Sequence, residues 1–176
     1  DATRAIVREM SAHDPHIELL EIPETGKGIA VLTAWQRAAE LSILHSPFSI
    51  FVFMDADLAT DLEALPKLIT AIRGGADIAI GSRYARGAHV ERSITRRIIS
   101  RCNQLLLRAL FGLRVADAPC GFKAVSEHVV RDIVPLVRDT QWFFDTELLI
   151  RAQRAHIRIV EIPVTWQEVR RENAPG

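Results

Sequence analysis

"FVFMDADLATD", residues 51–61, holds the transition that decides the fold: an apolar run climbs to Met54 and then breaks into three carboxylates, Asp55, Asp57 and Asp61. The run "FSIFVFM" (48–54), aromatic and β-branched, reads as a buried strand. If the chain stays extended through Ala56, Asp55 and Asp57 point to the same side. Two carboxylates side by side repel unless a cation or a proton lies between them. Few hard oxygen ligands, with room left for phosphate oxygens and water, describe a Mg2+ or Mn2+ site completed by a nucleotide diphosphate. The plainer reading makes Asp55 and Asp57 turn residues and Asp61 the cap of a helix beginning at Leu62.

Working outward, apolar strands alternate with helical stretches. Helical spacing covers 1–12, "IELLEIP" (17–23) reads as a short buried strand, and a helix runs from Gly26 to about Leu44. After the acidic stretch come a helix in "DLEALPKLITAIRGG" and the strand "ADIAIGSR". The loop "YARGAHVER", a long helix from about Ser93 to Phe111 and a strand "GFKAV" follow. Helices from about Glu127 and from Phe144 to Ala155 precede a last strand, "IRIVEIPVTW", whose alternation suits an edge position. Such alternation predicts an α/β domain with a mostly parallel central sheet flanked by helices.

The 176 residues make one domain, and 22 basic against 22 acidic side chains leave no bulk field that would recommend nucleic acid as a partner. Cys102 and Cys120 sit in no C-x-x-C spacing and read as reduced packing residues, as in the cytoplasm. The six histidines form no ligand spacing with one another. No apolar stretch approaches the ~20 residues that span a bilayer, so any membrane contact is expected to be peripheral.

Five motifs in order, "DADLATD", "GSRY" (81–84), "LFGLRVADAPCGFKAV" (110–125), "FFDTELLIRAQ" (143–153) and "VEIPVTW" (160–166), together resemble the inverting family 2 glycosyltransferases of the GT-A fold. The resemblance is closest to synthases of polyprenyl or dolichyl phosphate glucose and mannose. It implies that Asp55 and Asp57 stand at the donor diphosphate and its metal, on the cytoplasmic face of a membrane. The family's opening Pro-x-Tyr-Asn-Glu and Asp-Asp-Gly-Ser type motifs are not in the sequence, so residues 1–176 are expected to be a single GT-A domain lacking its first strands. Mannosyl members often carry glutamine where Ala59 stands, which favours UDP-glucose as donor with GDP-mannose second. Phosphatases of the haloacid dehalogenase type also place D-x-D after a strand, but want Thr or Val at the position of Ala59.

Winding 93–113 at ~100° per residue puts Ile94, Ile98, Ile99, Leu105, Leu106, Ala109 and Leu110 on one side. Arg96, Arg97, Arg101, Gln104 and Arg108 fall on the other, with Leu107 the exception. The pattern predicts a helix packed on the core by its apolar side, or one whose arginines meet anionic headgroups. Arg96, Ser100 and Asn103 form one stripe at i, i+4 and i+7. The resemblance places an acceptor phosphate near Arg83, Arg96 and Ser100, with Asn103 beside them. A solvated stripe, with Arg83 paired to a carboxylate, is the other reading.

Lys27 in "TGKG" is placed at the donor diphosphate, with backbone N–H groups of a helix N-terminus, or else in a plain turn. Lys123 is divided between the acceptor pocket and a surface charge. Asp145 stands where related transferases with hydroxyl acceptors keep a base, and is grouped with Asp57, Arg83 and Arg96 as catalytic; orienting a neighbour is its other reading. Trp142 and Phe143 are expected in the core or lining a sugar or lipid pocket. The function expected is metal-dependent hexose transfer from a nucleotide sugar to a polyprenyl phosphate lipid; the alternative is a non-catalytic module binding lipid phosphate or protein.

Overall fold

The structure, a computed structural model, describes residues 2–45, 50–91 and 94–167. Helices α1 (Thr3–His13) and α2 (Lys27–His45) precede strand β1 (Ile50–Met54). A 3-10 turn at Leu62–Ala64 leads into α3 (Leu65–Arg73) and β2 (Ile78–Ser82). Then come β3 (His89–Glu91), α4 (Ile94–Phe111), β4 (Phe122–Ser126), α5 (Glu127–Asp132), α6 (Phe144–Arg154), β5 (Ile159–Pro163) and β6 (Thr165–Gln167). The turn ahead of α3 starts as its sequence asks, with the Asp61 carboxylate accepting from the Glu63 N–H at 2.9 Å and Pro66 in the first helical turn.

The main sheet has the order β1-β4-β2-β5. β4 pairs antiparallel with both β1 and β2, while β2 pairs parallel with β5. Three strands therefore share one direction, as expected, but two of the three ladders are antiparallel. The excursion through β3 and α4 does not cross the sheet; it returns β4 at the edge where β1 and β2 end, so β4 must run backwards between them. All five β2 residues are buried, which is why its sequence is apolar throughout rather than alternating.

Side chains divide between two faces with period two. Phe51, Phe53, Ile78, Ile80 and Val125 meet α2 and α6 at Trp35, Phe144 and Leu148. Val52, Ala79, Phe122 and Ala124 meet α3 at Leu68 and Ile72. Trp35, Phe53 and Phe144 pack edge to face, with ring centroids 5.6, 6.3 and 6.4 Å apart.

Four expectations need correcting. "IELLEIP" forms no strand: its apolar residues are half-buried, but none of the described strands lies beside it to complete a ladder. The loop after "GSRY" contains β3, which pairs parallel with β6, and the last apolar run divides at Val164 into β5 and β6. Helix α4 is turned over. Ile98, Ile99, Leu105, Leu106 and Leu110 are 55–66% exposed, while Leu107, the exception in the wound pattern, is buried. The inward stripe is Ser100, Gln104 and Leu107, at i, i+4 and i+7. Periodicity names the residues that share a face; it does not say which face meets the body.

Leu107→Ala is expected to lower stability by about 2–5 kcal/mol, whereas Leu106→Ala stays within ~0.5 kcal/mol. Urea unfolding of the two variants measures the difference, and equal losses would contradict the observed orientation of α4.

Candidate active site at the strand tips

Because β1 and β2 end where β4 begins, Asp55, Arg83 and Gly121 come to one edge of the sheet, the usual ligand side of an open α/β sheet. The Asp55 N–H donates to the Gly121 carbonyl at 2.9 Å. Its carboxylate occupies the space that a Cβ on residue 121 would fill, so only glycine fits there. Asp57 is exposed and accepts the Ala59 N–H at 3.1 Å, closing a tight turn. Leu58, inside that turn, has φ +52°, a left-handed conformation that costs a branched residue roughly 1–2 kcal/mol. The strained turn is clamped from beyond: Asp61 N–H donates to the Thr165 carbonyl at 3.0 Å, and Gln167 N–H to the Ala59 carbonyl at 2.9 Å.

Behind Asp55 runs a chain of alternating charges. Lys27 Nζ lies 2.9 Å from Asp55 Oδ1 and 2.8 Å from Asp145 Oδ2. Asp145 Oδ1 in turn accepts from Lys123 Nζ at 2.6 Å. Lys123 is fully buried, and its ammonium also donates to the carbonyls of Ala118, at 3.1 Å, and Cys120. Both ammonium groups stand over the Phe53 ring, 5.2 and 5.5 Å from its centroid. Burial works against the charge on Lys27, but Asp145 and then Asp55 outweigh it and hold its pKa above the usual lysine value.

Two assignments change as a result. Lys123 does not reach the surface and has all three donors engaged inside the protein, so it is no acceptor contact. Asp145 is nearly enclosed with an ammonium on each oxygen, which suits holding lysines rather than taking a proton from a substrate. The N-terminus of α2 also differs from expectation: the Gly28 and Ile29 N–H groups donate to the Gln141 and Thr140 carbonyls at 3.1 and 2.9 Å, so of "TGKG" only the Lys27 side chain turns to Asp55.

Arg83 is gripped by the fully buried Asp117. Oδ2 accepts from the Arg83 backbone N–H and Nε, both at 2.8 Å, and Oδ1 from Nη2 at 2.7 Å. Burial disfavours the guanidinium charge, and the Asp117 hydrogen bonds more than restore it, raising the pKa. The Arg83 guanidinium stacks over Trp166, 5.5 Å from the ring centroid. Arg83, Ser100 and Asn103 line one cleft with Gln104 and Leu107, so α4 and the end of β2 bring three of the predicted side chains together. Arg96 lies on the same helix one turn before Ser100, and its side chain lies outside the described residues.

Trp142 and Phe143 are exposed rather than in the core, with Phe143 against Phe111 at 6.4 Å between centroids. Cys102 is exposed on α4 and not a packing residue; Cys120 is buried, its thiol pushed up to about 11 by burial and then by Asp117. Sequence reasoning missed Asp117, Gly121, Glu147 and Trp166. For Asp117 the signal was present, an acid in a Pro- and Gly-rich turn that no helix cap or surface role required.

Among the described residues no three His, Cys, Asp or Glu side chains converge on one point. The chain turns at Ala56 and Asp57 instead of staying extended as expected, and Asp55 and Asp57 are both exposed; a Mg2+ or Mn2+ that takes one or two carboxylates and completes its sphere with substrate phosphates and water would fit such acids.

A mixed central sheet flanked by helices, with its candidate site at the strand tips, is consistent with a GT-A type domain. The chain belongs to Glycosyl transferase family 2, whose pattern it matches over residues 1–134. It is similar to Glycosyltransferase AglD of Haloferax volcanii, 34% identical over 169 residues, which cover 95% of this chain and 26% of that protein. A dolichyl-phosphate beta-glucosyltransferase of Trichomonas vaginalis is 32% identical over 188 residues, 96% of this chain and 50% of its own. A polyprenol monophosphomannose synthase of Mycolicibacterium smegmatis is 31% identical over 173 residues, 96% of this chain and 63% of its own. The chain thus spans less than two thirds of the length of these relatives.

Glu147, one turn into α6, supports the site from behind by accepting the Arg138 and Asp139 N–H groups at 3.0 and 2.7 Å and pairing with Arg151. Burial alone would raise its pKa, but these bonds bring it below the ordinary glutamate value. Its contribution to stability is therefore complete above about pH 4.3, the unfolded value, and is lost as pH falls through the lower folded value. Glu147→Gln should lower stability at neutral pH and flatten the acid limb of the stability profile below that point. An acid limb as steep as that of the parent chain would refute this assignment.

Proposed function

We propose that the chain carries the catalytic core of a hexosyltransferase that moves a sugar from a nucleotide sugar to a polyprenyl or dolichyl phosphate. The observation that carries this reading is the juxtaposition, on one sheet edge, of the Asp55/Asp57 tip with the cleft of Arg83, Ser100 and Asn103. Two of the relatives are named for glucose or mannose transfer to such lipid phosphates, which supports it. UDP-glucose is the first donor and GDP-mannose the second, since Ala59 stands where mannosyl members often have glutamine.

On this reading Asp55 and Asp57 hold the donor end, and Arg83, Ser100 and Asn103, with Arg96, dock the acceptor phosphate. A bound Mg2+ or Mn2+ would neutralise the departing nucleotide diphosphate. The acceptor needs no strong base, because a phosphate monoester with a second pKa near ~6 is already largely dianionic at neutral pH. That agrees with an Asp145 whose oxygens are both turned to lysines. The chain's own task is to screen converging negative groups and align them.

The exposed side of α4 is read as the peripheral contact with the lipid surface in which such an acceptor is anchored. Among the described residues no helix is long and apolar enough to cross a membrane. Ile98, Ile99, Leu106 and Leu110 offer an apolar side, Arg101 and Arg108 are exposed beside it, and Trp142, Phe143 and Phe111 adjoin it. An amphipathic helix with arginines and aromatic residues at its margin matches an anionic bilayer interface.

Incubation of the purified chain with Mn2+, UDP-glucose and a short polyprenyl phosphate is expected to release UDP and form a lipid-linked hexose, with Asp57→Ala lowering kcat/KM about 10²-fold or more. Undiminished turnover in that variant would remove Asp57 from the donor site, and lipid-phosphate binding without turnover would favour a non-catalytic module. Arg96→Ala should raise the acceptor KM about tenfold, the loss of one charge-assisted hydrogen bond, and leave the donor KM nearly unchanged.

Sedimentation with vesicles containing phosphatidylglycerol tests the lipid contact. The chain is expected to co-sediment, and Leu106→Glu with Leu110→Glu to stay in the supernatant. A dimer in gel filtration that the same double variant dissociates would assign the face to a second copy instead.

A further inference from the structure

Lys27 Nζ is shared almost equally between an outer carboxylate, Asp55 at 2.9 Å, and an inner one, Asp145 at 2.8 Å. The outer one is 46% exposed and the inner one 3%. Asp145 is fixed independently of Lys27, because its other oxygen is held by the fully buried Lys123, itself tied to the Ala118 and Cys120 carbonyls. Asp55 is held in place too, since its carboxylate already fills the space over Gly121. Lys27 is thus a cation on a flexible stem between a buried inner anion and a half-exposed outer one.

An ammonium beside Asp55 competes with any divalent cation for the same carboxylate. The inner anion moderates that competition by drawing the ammonium inward. We propose that Asp145 is a positioning residue that acts through Lys27, setting how firmly the ammonium holds Asp55 and hence how readily Asp55 accepts the cation of a nucleoside diphosphate complex. This rests on the reading of Asp55 as a donor-end ligand, and it moves Asp145 from proton transfer to control of a carboxylate it does not touch. Lys123 gives the buried Asp145 a charged partner on one oxygen, which leaves the other oxygen to share the Lys27 ammonium.

Two readouts test it, one of them independent of any donor. In a crystal structure of Asp145→Asn, Lys27 Nζ is expected to leave residue 145 and pair with Asp55 alone; an ammonium that stays on residue 145 overturns the proposal. By calorimetry, Asp145→Asn should weaken Mn2+ binding in the presence of UDP about tenfold, and in a Lys27→Met background the same change should weaken it by less than half as much in free energy, leaving only the direct field of Asp145. Equal weakening in both backgrounds would also overturn the proposal.

If Asp145→Asn alone does not fold, with Lys123 left unpaired, Asp145→Asn combined with Lys123→Met removes the buried pair as a neutral unit and is expected to give the same two results. Absence of Mn2+ and UDP binding by the parent chain would defeat the donor-site reading, while the position of Lys27 Nζ in the variant still decides whether Asp145 acts through Lys27.

Discussion

The structure depends on one buried carboxylate, Asp145, held between the ammonium groups of Lys27 and Lys123. Removing a carboxylate from water costs several kcal/mol unless its hydration is replaced by well-placed donors, and here each oxygen has a charged one. That requirement binds together the first turns of α2 and α6, the start of β4 and, through Lys27, the tip of β1. None of these can shift without leaving a charge unpartnered in the interior. The first turn of α6 is the common anchor, since Glu147 in the same turn ties down the backbone at 138 and 139, and carboxylates there are favoured by the helix dipole. The adjoining carbonyls of Thr140 and Gln141 then receive the first N–H groups of α2, which fixes where Lys27 starts.

A second buried acid organises the other half of the edge. Asp117 accepts three hydrogen bonds from Arg83, so the guanidinium plane is set before any ligand arrives. Trp166 covers that plane and also forms a bridge with Thr60, in the loop that carries Asp57. The acidic tip and the arginine cleft therefore share a wall, and the strain at Leu58 is contained by the same contacts. A pre-set guanidinium already neutralised by an acid binds an anion with direction more than with net charge, which leaves net attraction to be supplied from elsewhere, and α4 is the arginine-rich element nearest the cleft.

Much of this was legible from local pattern. The break after Met54 marked a strand tip, Asp61 behaved as a cap, and the Ser100 and Asn103 stripe came to lie with Arg83 in one cleft. The misreadings have a common cause in facts that only distant residues decide. Lys123 alternates correctly in "FKAV", but β4 is covered on both faces, and its partner lies 22 positions away. "IELLEIP" has the composition of a strand, and composition cannot supply a neighbour. Asp117 stood out only as an acid in a Pro- and Gly-rich turn, and Gly121 was hidden, because a close backbone approach leaves no periodic trace.

Helix α4 is the most informative failure, because the apolar stripe was read correctly and assigned to the wrong solvent. Five large aliphatic side chains on one exposed side are more than scattered surface residues, and a contiguous apolar patch with charged margins marks an interaction surface. The same helix turns Ser100, Gln104 and Leu107 inward to shape the cleft that holds Arg83. On the proposed function these two sides belong to one substrate: a phosphate that must enter a polar cleft, attached to a hydrocarbon chain that must remain in lipid. A helix packed on the core by its aliphatic side would have buried the surface that such a tail requires. The inversion that defeated the amphipathic rule is therefore the orientation that an amphipathic acceptor demands.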